Sequence, residues 1–530
     1  MQSKERAADL IVVGGAIHTS DGANPSSQAF AARDGRFAYV GSTAGAMAMR
    51  GPKTQILDAA GRTVLPGLID AHVHLTRLGL TLLEVDLREA RCDEEAVARV
   101  AAFARGARDE WILGNGWDQN RWLGGAFPTH GALSAAIPDR PAALSRVDGH
   151  AVWANATAME RAGVSAATAD PPGGRIVRDA RGFPTGVLVD AAQDLIYAKV
   201  PPPTHERLVA ATRAAIARCN RWGVTAVSEP GAADAVLHAH AEVIARGQYS
   251  IRNHVMLYDD AGLDAHFARG ITDGAHDGRL WIRAVKMFAD GALGSRGAAL
   301  LEPYADDAGN LGLVVTPRER LESVTARALR AGFQPCIHAI GDRANRIVLD
   351  VYEALLPARA RAGDVRPRIE HAQVLDPQDL PRLARLGVIA SVQAVHHASD
   401  APWAPLRLGS RRMLGAYAWR RLLDAGAVVA NGSDAPVEPV DTPRSFHAAV
   451  AADPQRRMTR REALAAMTSQ AAYANFQDGV AGSIAPGKYA DFVIMDRDWM
   501  AIPLDEIPQT NVVATYFGGR LVYRWEGSSS

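Results

Sequence analysis

The segment "GLIDAHVHL", residues 67–75, sets two imidazoles one residue apart at the end of an apolar run. Successive side chains of a strand point to opposite faces, so His72 and His74 share one face while Ala71 and Val73 share the other. Two neutral ring nitrogens aimed at one spot suit a metal ion; the plainer alternative is a pair of structural histidines at a strand end. Other residues of the same kind close other apolar, β-branched runs: Lys286 in "AVKMFADG", His338 in "CIHAIGD", His371 in "RIEHAQ" and Asp434 in "NGSDAP". Four histidines and a carboxylate at strand ends make a divalent-metal pattern, with zinc the expected ion and one or two ions bound. Lys286 as an ammonium would repel cations. Desolvation beside positive charge lowers a lysine's pKa and frees its amine to add carbon dioxide, giving an N6-carboxylated anion able to bridge two metals. A lysine that simply pairs with Asp290 is the other reading.

These residues need a frame that brings distant strand ends together. From Thr63 to Glu438 the runs "TVLPGLIDAHVH", "GVTAVSEPG", "RNHVMLY", "WIRAVKMFADG", "FQPCIHAIGD", "RIEHAQVL", "GVIASVQAVH" and "GAVVANGSDAP" alternate with helix-like stretches such as "PQDLPRLARLG". Near-continuous apolar strands separated by helices indicate an α/β fold with a parallel sheet covered on its faces. Eight such units predict a (β/α)8 barrel of TIM type, whose strand C-termini meet at one mouth. An open doubly wound sheet fits less well, because no glycine-rich dinucleotide fingerprint follows the first strand.

About residues 75–222 separate the first barrel strand from the second. This stretch is too long to be structureless and is expected to be an ordered insertion, forming a lid or pocket wall at the mouth. The termini read differently. "ADLIVVGGAIHT", "AFAARDGRFAYVGS" and "TQILDAAGRTVL" near the start, and "ADFVIMDRD" and "VVATYFGGRLVYR" near the end, are short strands with glycine turns. The expected division is a composite β-sandwich from 1–65 and 476–530, a barrel over 66–475, and a flexible "EGSSS" tail.

The chain has 530 residues, 48% hydrophobic and 22% charged, with 58 basic and 58 acidic side chains. A balanced charge without a clustered basic surface speaks against nucleic acid and anionic membranes as partners. No apolar run reaches the ~20 residues that span a bilayer, and no secretory h-region opens the chain. Three scattered cysteines, Cys92, Cys219 and Cys336, fit a reducing compartment, so a cytoplasmic protein is expected. Its expected partners are a small-molecule substrate and, if it oligomerises, a second copy in a homodimer.

The stretches "VLPGLIDAHVHL", "GNGWDQNRW", "SRVDGHAVWANATAMERAG", "VKMFADGALGSRGAAL", "HAIGDRAN", "RIEHAQVL", "NGSDAPVEP" and "GSIAPGKYADFVIMD" together resemble the amidohydrolase superfamily, and within it the YtcJ-like group, amidohydrolase family 3, that includes N-substituted formamide deformylases. The resemblance runs over nearly the whole chain in the expected order. It implies a metal-dependent barrel hydrolase in which His72, His74 and Asp434 bind one ion, His338 and His371 the other, and carboxylated Lys286 bridges them.

The chemistry such residues permit is hydrolysis of a C–N bond in an amide, formamide, carbamate or N-acyl compound. Paired divalent ions acidify a shared water. Asp434 would take its proton and pass it to the leaving nitrogen. A deaminase or cyclic-amide or imine hydrolase would use the same ligands, and a non-catalytic binding barrel is the third reading. His150 in "VDGHAVWAN" is a candidate donor to the substrate carbonyl or else a structural histidine. Asp290 and Arg296, in the loop after the Lys286 strand, contact substrate or pair with each other to orient the lysine. Trp117, Trp122, Trp153 and Trp403 are candidates for an apolar or aryl-accepting pocket, against the plainer reading of ordinary packing. No serine elbow or cysteine motif supports covalent catalysis.

Overall fold

The computed structural model describes residues 7–527 apart from 148, 172 and 357–363; Ser528–Ser530 of the expected tail lie outside the described residues. The chain divides into two compact units, one made of Met1–Leu75 and Ala215–Ser530, the other of Thr76–Ala214.

In the first unit, eight strands run parallel in chain order: β1 (Leu68–Asp70), β2 (Val224–Ala232), β3 (Arg252–Tyr258), β4 (Leu280–Phe288), β5 (Gln334–Ala339), β6 (Arg368–His371), β7 (Ile389–Val392) and β8 (Val429–Asn431). The circle is completed past the ends of β1 and β8. There the Ala71 amide donates to the Asn431 carbonyl (3.2 Å) and the Asp434 amide to the His72 carbonyl (2.7 Å). Amphipathic helices cover the strands; Asp342–Leu355 turns Val348, Leu349, Val351 and Tyr352 inward. The fold is the expected (β/α)8 barrel.

The run "TVLPGLID" serves two sheets. Thr63–Pro66 pairs with Phe492–Met495, and β1 begins two residues later in the barrel. Gly67 is the joint: its amide donates to the Asp491 carbonyl (2.8 Å), and a Cβ there would lie 2.1 Å from the Thr225 hydroxyl. Only glycine fits so close an approach. The six-stranded sheet that contains this pair runs Arg520–Arg524, Val512–Phe517, Phe492–Met495, Thr63–Pro66, Ala16–His18, Ser26–Ser27, so both chain ends contribute to it. The four strands Arg36–Gly41, Ala29–Arg33, Leu10–Val13 and Gln55–Asp58 form a second sheet. Phe30, Phe37, Val64, Phe492 and Tyr516 share one buried cluster between them, with Phe492 and Tyr516 stacked at 4.4 Å.

The Thr76–Ala214 unit is a mixed six-stranded sheet in the order Gly174–Arg178, Pro184–Asp190, Ala151–Ala154, Ala142–Arg146, Ile112–Trp117, Val85–Asp86. Helix Asp93–Gly106 packs Ala96 and Val100 into a core with Leu144, Val187 and three tryptophans. The boundary at Ala214 falls inside helix His205–Arg221. Among the described residues no helix is long and apolar enough to cross a membrane.

Candidate metal centre

His72 and His74 lie just beyond β1, where the chain bends at Ala71 and His72 yet brings both rings to one carboxylate. The amides of Ala71 and Val73 donate to Asn431 and Ser228 on either side, and the two rings sit 5.5 Å apart. Across the mouth, Asp434 follows β8 with φ +60°, a left-handed conformation that aims its carboxylate at both rings. Its Oδ1 is 3.4 Å from His72 Nε2 and 3.3 Å from His74 Nε2. His371, the last residue of β6, has φ +77°. Its ring lies 4.9 Å from that of His72 and 4.5 Å from that of His338 on β5.

Each ring is oriented from behind. Glu370 Oε2 faces His72 Nδ1 at 2.5 Å, and Gln393 Oε1 faces His371 Nδ1 at 2.6 Å. An Nδ1–H held this way leaves Nε2 as the lone-pair nitrogen. Glu370 is itself gripped by Arg368, whose Nε and Nη2 donate to its two oxygens at 2.7 and 3.1 Å. Arg368 is wholly buried and also donates to the Ala71 carbonyl and to the Ser228 and Ser391 hydroxyls.

The result is a set of ligand atoms converging at the barrel mouth. His72 Nε2, His338 Nε2, His396 Nε2 and Asp434 Oδ1 are buried without a hydrogen-bond partner among the described residues. Buried polar atoms are rarely left so, and several converging on one mouth fit a cation better than they fit one another. Burial, with Lys286 nearby, lowers the His72 pKa to about 4 and that of His338 to about 3, keeping both imidazoles neutral as ligands must be. Burial pushes the Asp434 carboxyl up, but the close approach of His74 and the neighbouring His72 and His371 outweigh it and hold it well below the usual range. Lys286 is 1% exposed, and burial lowers its pKa, partly opposed by Glu370 and Asp434. That is the direction carboxylation requires.

Two groups of three ligands lie within 4.8 Å of one another among the described residues: His72, His74, Asp434, and His371, His396, Asp434. His338 stands outside both, with its Nε2 3.5 Å from Asp290 Oδ1. His396 and the supporting Glu370, Arg368 and Gln393 are absent from the sequence-based set. The signal for His396 was present in "VQAVHHASD", which follows β7 as the other ligand stretches follow their strands. For the supports there was none, because a charged residue inside a strand reads as noise in an apolar pattern.

Four expectations meet different surroundings. Asp290 is buried and spends both oxygens on backbone amides, those of Ile340 (2.9 Å), Gly341 (2.8 Å) and Ala299 (2.9 Å). It ties the β4 and β5 loops together and has no oxygen free for substrate; burial raises its pKa to about 7 despite those bonds. Arg296 pairs with Asp306 (2.9 Å), not with Asp290. Trp117 and Trp153 are completely buried in the Thr76–Ala214 unit, their indole N–H groups donating to the carbonyls of Leu144 (2.7 Å) and Thr129 (3.1 Å). With Trp122 they form an edge-to-face core, so they offer a substrate no surface. Trp403, half-buried, stands over Gly294 in the β4 loop. His150 is exposed in the Thr76–Ala214 unit, with Nδ1 2.9 Å from Asp190 Oδ1.

The chain is similar to known proteins over most of its length. The chain is 34% identical to the putative amidohydrolase YtcJ of Bacillus subtilis over 89% of its own length and 91% of that protein's. It is 27% identical to the N-substituted formamide deformylase of Arthrobacter pascens, covering 98% of this chain and 99% of that one. An uncharacterized metal-dependent hydrolase from Pyrococcus furiosus superposes with a TM-score of 0.79 at 28% identity, over 93% of this chain and all of that one. Residues 55–523 match the family Amidohydro_3, an amidohydrolase family: this chain belongs to the amidohydrolase family and is a hydrolase.

Proposed function

We propose that this protein hydrolyses a non-peptide C–N bond, of amide, formamide, carbamate or N-acyl type, in a small molecule. The observation that carries the reading is the cluster of buried, partnerless His and Asp ligand atoms at the barrel mouth. The likeness to a deformylase over almost the whole chain supports the bond class. Divalent cations, zinc by ligand type, would acidify a water and polarise the substrate carbonyl when bound. His72, His74 and Asp434 would hold one ion, with Lys286, His338 and His371 disposed toward another. Asp434, kept ionised by the imidazoles around it, accepts the proton as water adds to the carbonyl carbon. It returns that proton to the departing nitrogen as the C–N bond breaks, leaving a carboxylic acid and an amine. The free cysteines favour a reducing, cytoplasmic setting.

The test is a panel of N-substituted formamides, N-acyl amines, carbamates and amino-purines, read for amine, carboxylate and ammonia. Release of an amine with a carboxylate, abolished by chelation and restored by zinc, supports the proposal; ammonia alone would point to deamination. Asp434→Asn is expected to lower kcat at least ~100-fold while leaving the fold intact, since general acid–base catalysis contributes about 10²–10⁴-fold. Near-normal kcat in that variant would remove Asp434 from the proton path.

A further inference from the structure

The two oxygens of Asp434 face different histidines. Oδ1 addresses His72 and His74 at 3.4 and 3.3 Å, while Oδ2 addresses His396 Nε2 at 3.9 Å. His396 lies in the helix Ala394–Asp400 that opens directly after β7, and its backbone amide donates to the Gln393 carbonyl (3.1 Å). Gln393 is also the residue that fixes the His371 ring through Nδ1. Gln393 thus orients the His371 ring and holds the backbone from which His396 projects, and the two rings lie nearly parallel, 12° apart, with centroids separated by 6.3 Å. His396 Nε2 is buried and has no hydrogen-bond partner among the described residues. Buried side-chain polar atoms are rarely left so, and this one also faces a carboxylate.

We propose that His396 is a metal ligand, completing with His371 and Asp434 Oδ2 a second cation site beside that of His72, His74 and Asp434 Oδ1. Asp434 would then offer one oxygen to each ion. This rests on the metal-dependent reading above, and it enlarges the ligand set expected for the second ion, His338 and His371, by a residue from the β7 end. The donors are two imidazoles and a carboxylate, which suits zinc and similar divalent ions.

The experiment is zinc titration of the metal-free protein by calorimetry, with metal content checked by mass spectrometry, for the natural chain, His396→Ala and His396→Gln. The natural chain should take two zinc ions. Both variants should keep one with unchanged affinity and hold the second at least tenfold more weakly. Anomalous diffraction from zinc-loaded crystals of the natural chain tests the same site without any substitution: a peak between His371, His396 and Asp434 supports the proposal, and its absence beside an occupied His72–His74 site overturns it. Variants that bind both ions as tightly as the natural chain also overturn it, and leave the hydrolase reading in place. A natural chain that binds no zinc would instead undo that reading.

Discussion

Behind His72 stands a carboxylate that no ligand motif announces. Glu370 and His371 are neighbours on β6, and neighbours on a strand point to opposite faces. Yet Glu370 touches His72 while the His371 ring also reaches the His72 ring. The φ of +77° at His371 rotates its side chain back to the inner face, at a backbone cost of about 1–3 kcal/mol. Periodicity could reveal that His371 ends a strand; it could not reveal this reversal, nor that Glu370 braces a ligand instead of solvating a surface. The brace is testable. Glu370→Gln keeps the shape and removes the charge, and should weaken zinc binding about 10–100-fold in competition with a chromophoric chelator. Glu370→Ala also leaves the buried Arg368 guanidinium without its partner, and should cost about 3–5 kcal/mol in denaturant unfolding. Unchanged zinc affinity in the glutamine variant would reduce Glu370 to a partner for Arg368 alone.

At the scale of elements, the barrel was legible because eight β-branched runs keep a parallel strand's composition, and each functional residue sits at a run's end. The exact joint at Gly67 was not legible, since an unbroken apolar run carries no mark of which residue turns from one sheet to the other. The tryptophans fail as pocket markers for a related reason: a large aromatic satisfies a core and a cleft equally, and only three-dimensional neighbours decide. In the Thr76–Ala214 unit they decide for the core, where Trp117 and Trp153 meet edge to face at 6.3 Å. Truncating Trp153 to alanine should therefore destabilise that unit by about 3–5 kcal/mol, seen as earlier unfolding in denaturant and faster proteolysis within 76–214. Trp153→Phe, which keeps most of the buried area, should lose less than half as much. A rise in KM without any loss of stability would return Trp153 to the substrate pocket.

Within the Met1–Leu75 and Ala215–Ser530 unit, a buried charge pair links the barrel to the strands of the chain ends. Arg252, the first residue of β3, donates through Nε and Nη2 to the two oxygens of Asp491 at 2.6 and 3.0 Å, just before Phe492–Met495. Its guanidinium lies over the rings of Tyr489 (3.4 Å) and Phe517 (4.5 Å), and Asp491 also accepts from the Gly518 amide (2.7 Å). Arginine is needed here for its planar fork, which binds a carboxylate with two parallel bonds while stacking on aromatic faces. The sequence showed that both termini carry short strands, but nothing in "SIRNHV" or "KYADFV" tells that an arginine and an aspartate so far apart will meet. A buried pair broken on one side strands a charge, so Arg252→Met should lower stability by about 3–5 kcal/mol, while Arg252→Met with Asp491→Leu should recover much of that loss. Since Arg252 sits at the start of its strand and the ligands at the ends, kcat at low temperature should stay near that of the natural chain, and the loss should be seen in the unfolding midpoint. A double variant as unstable as the single one would mean that the stacked rings and the Gly518 bond, not the ion pair, hold the terminal strands to the barrel.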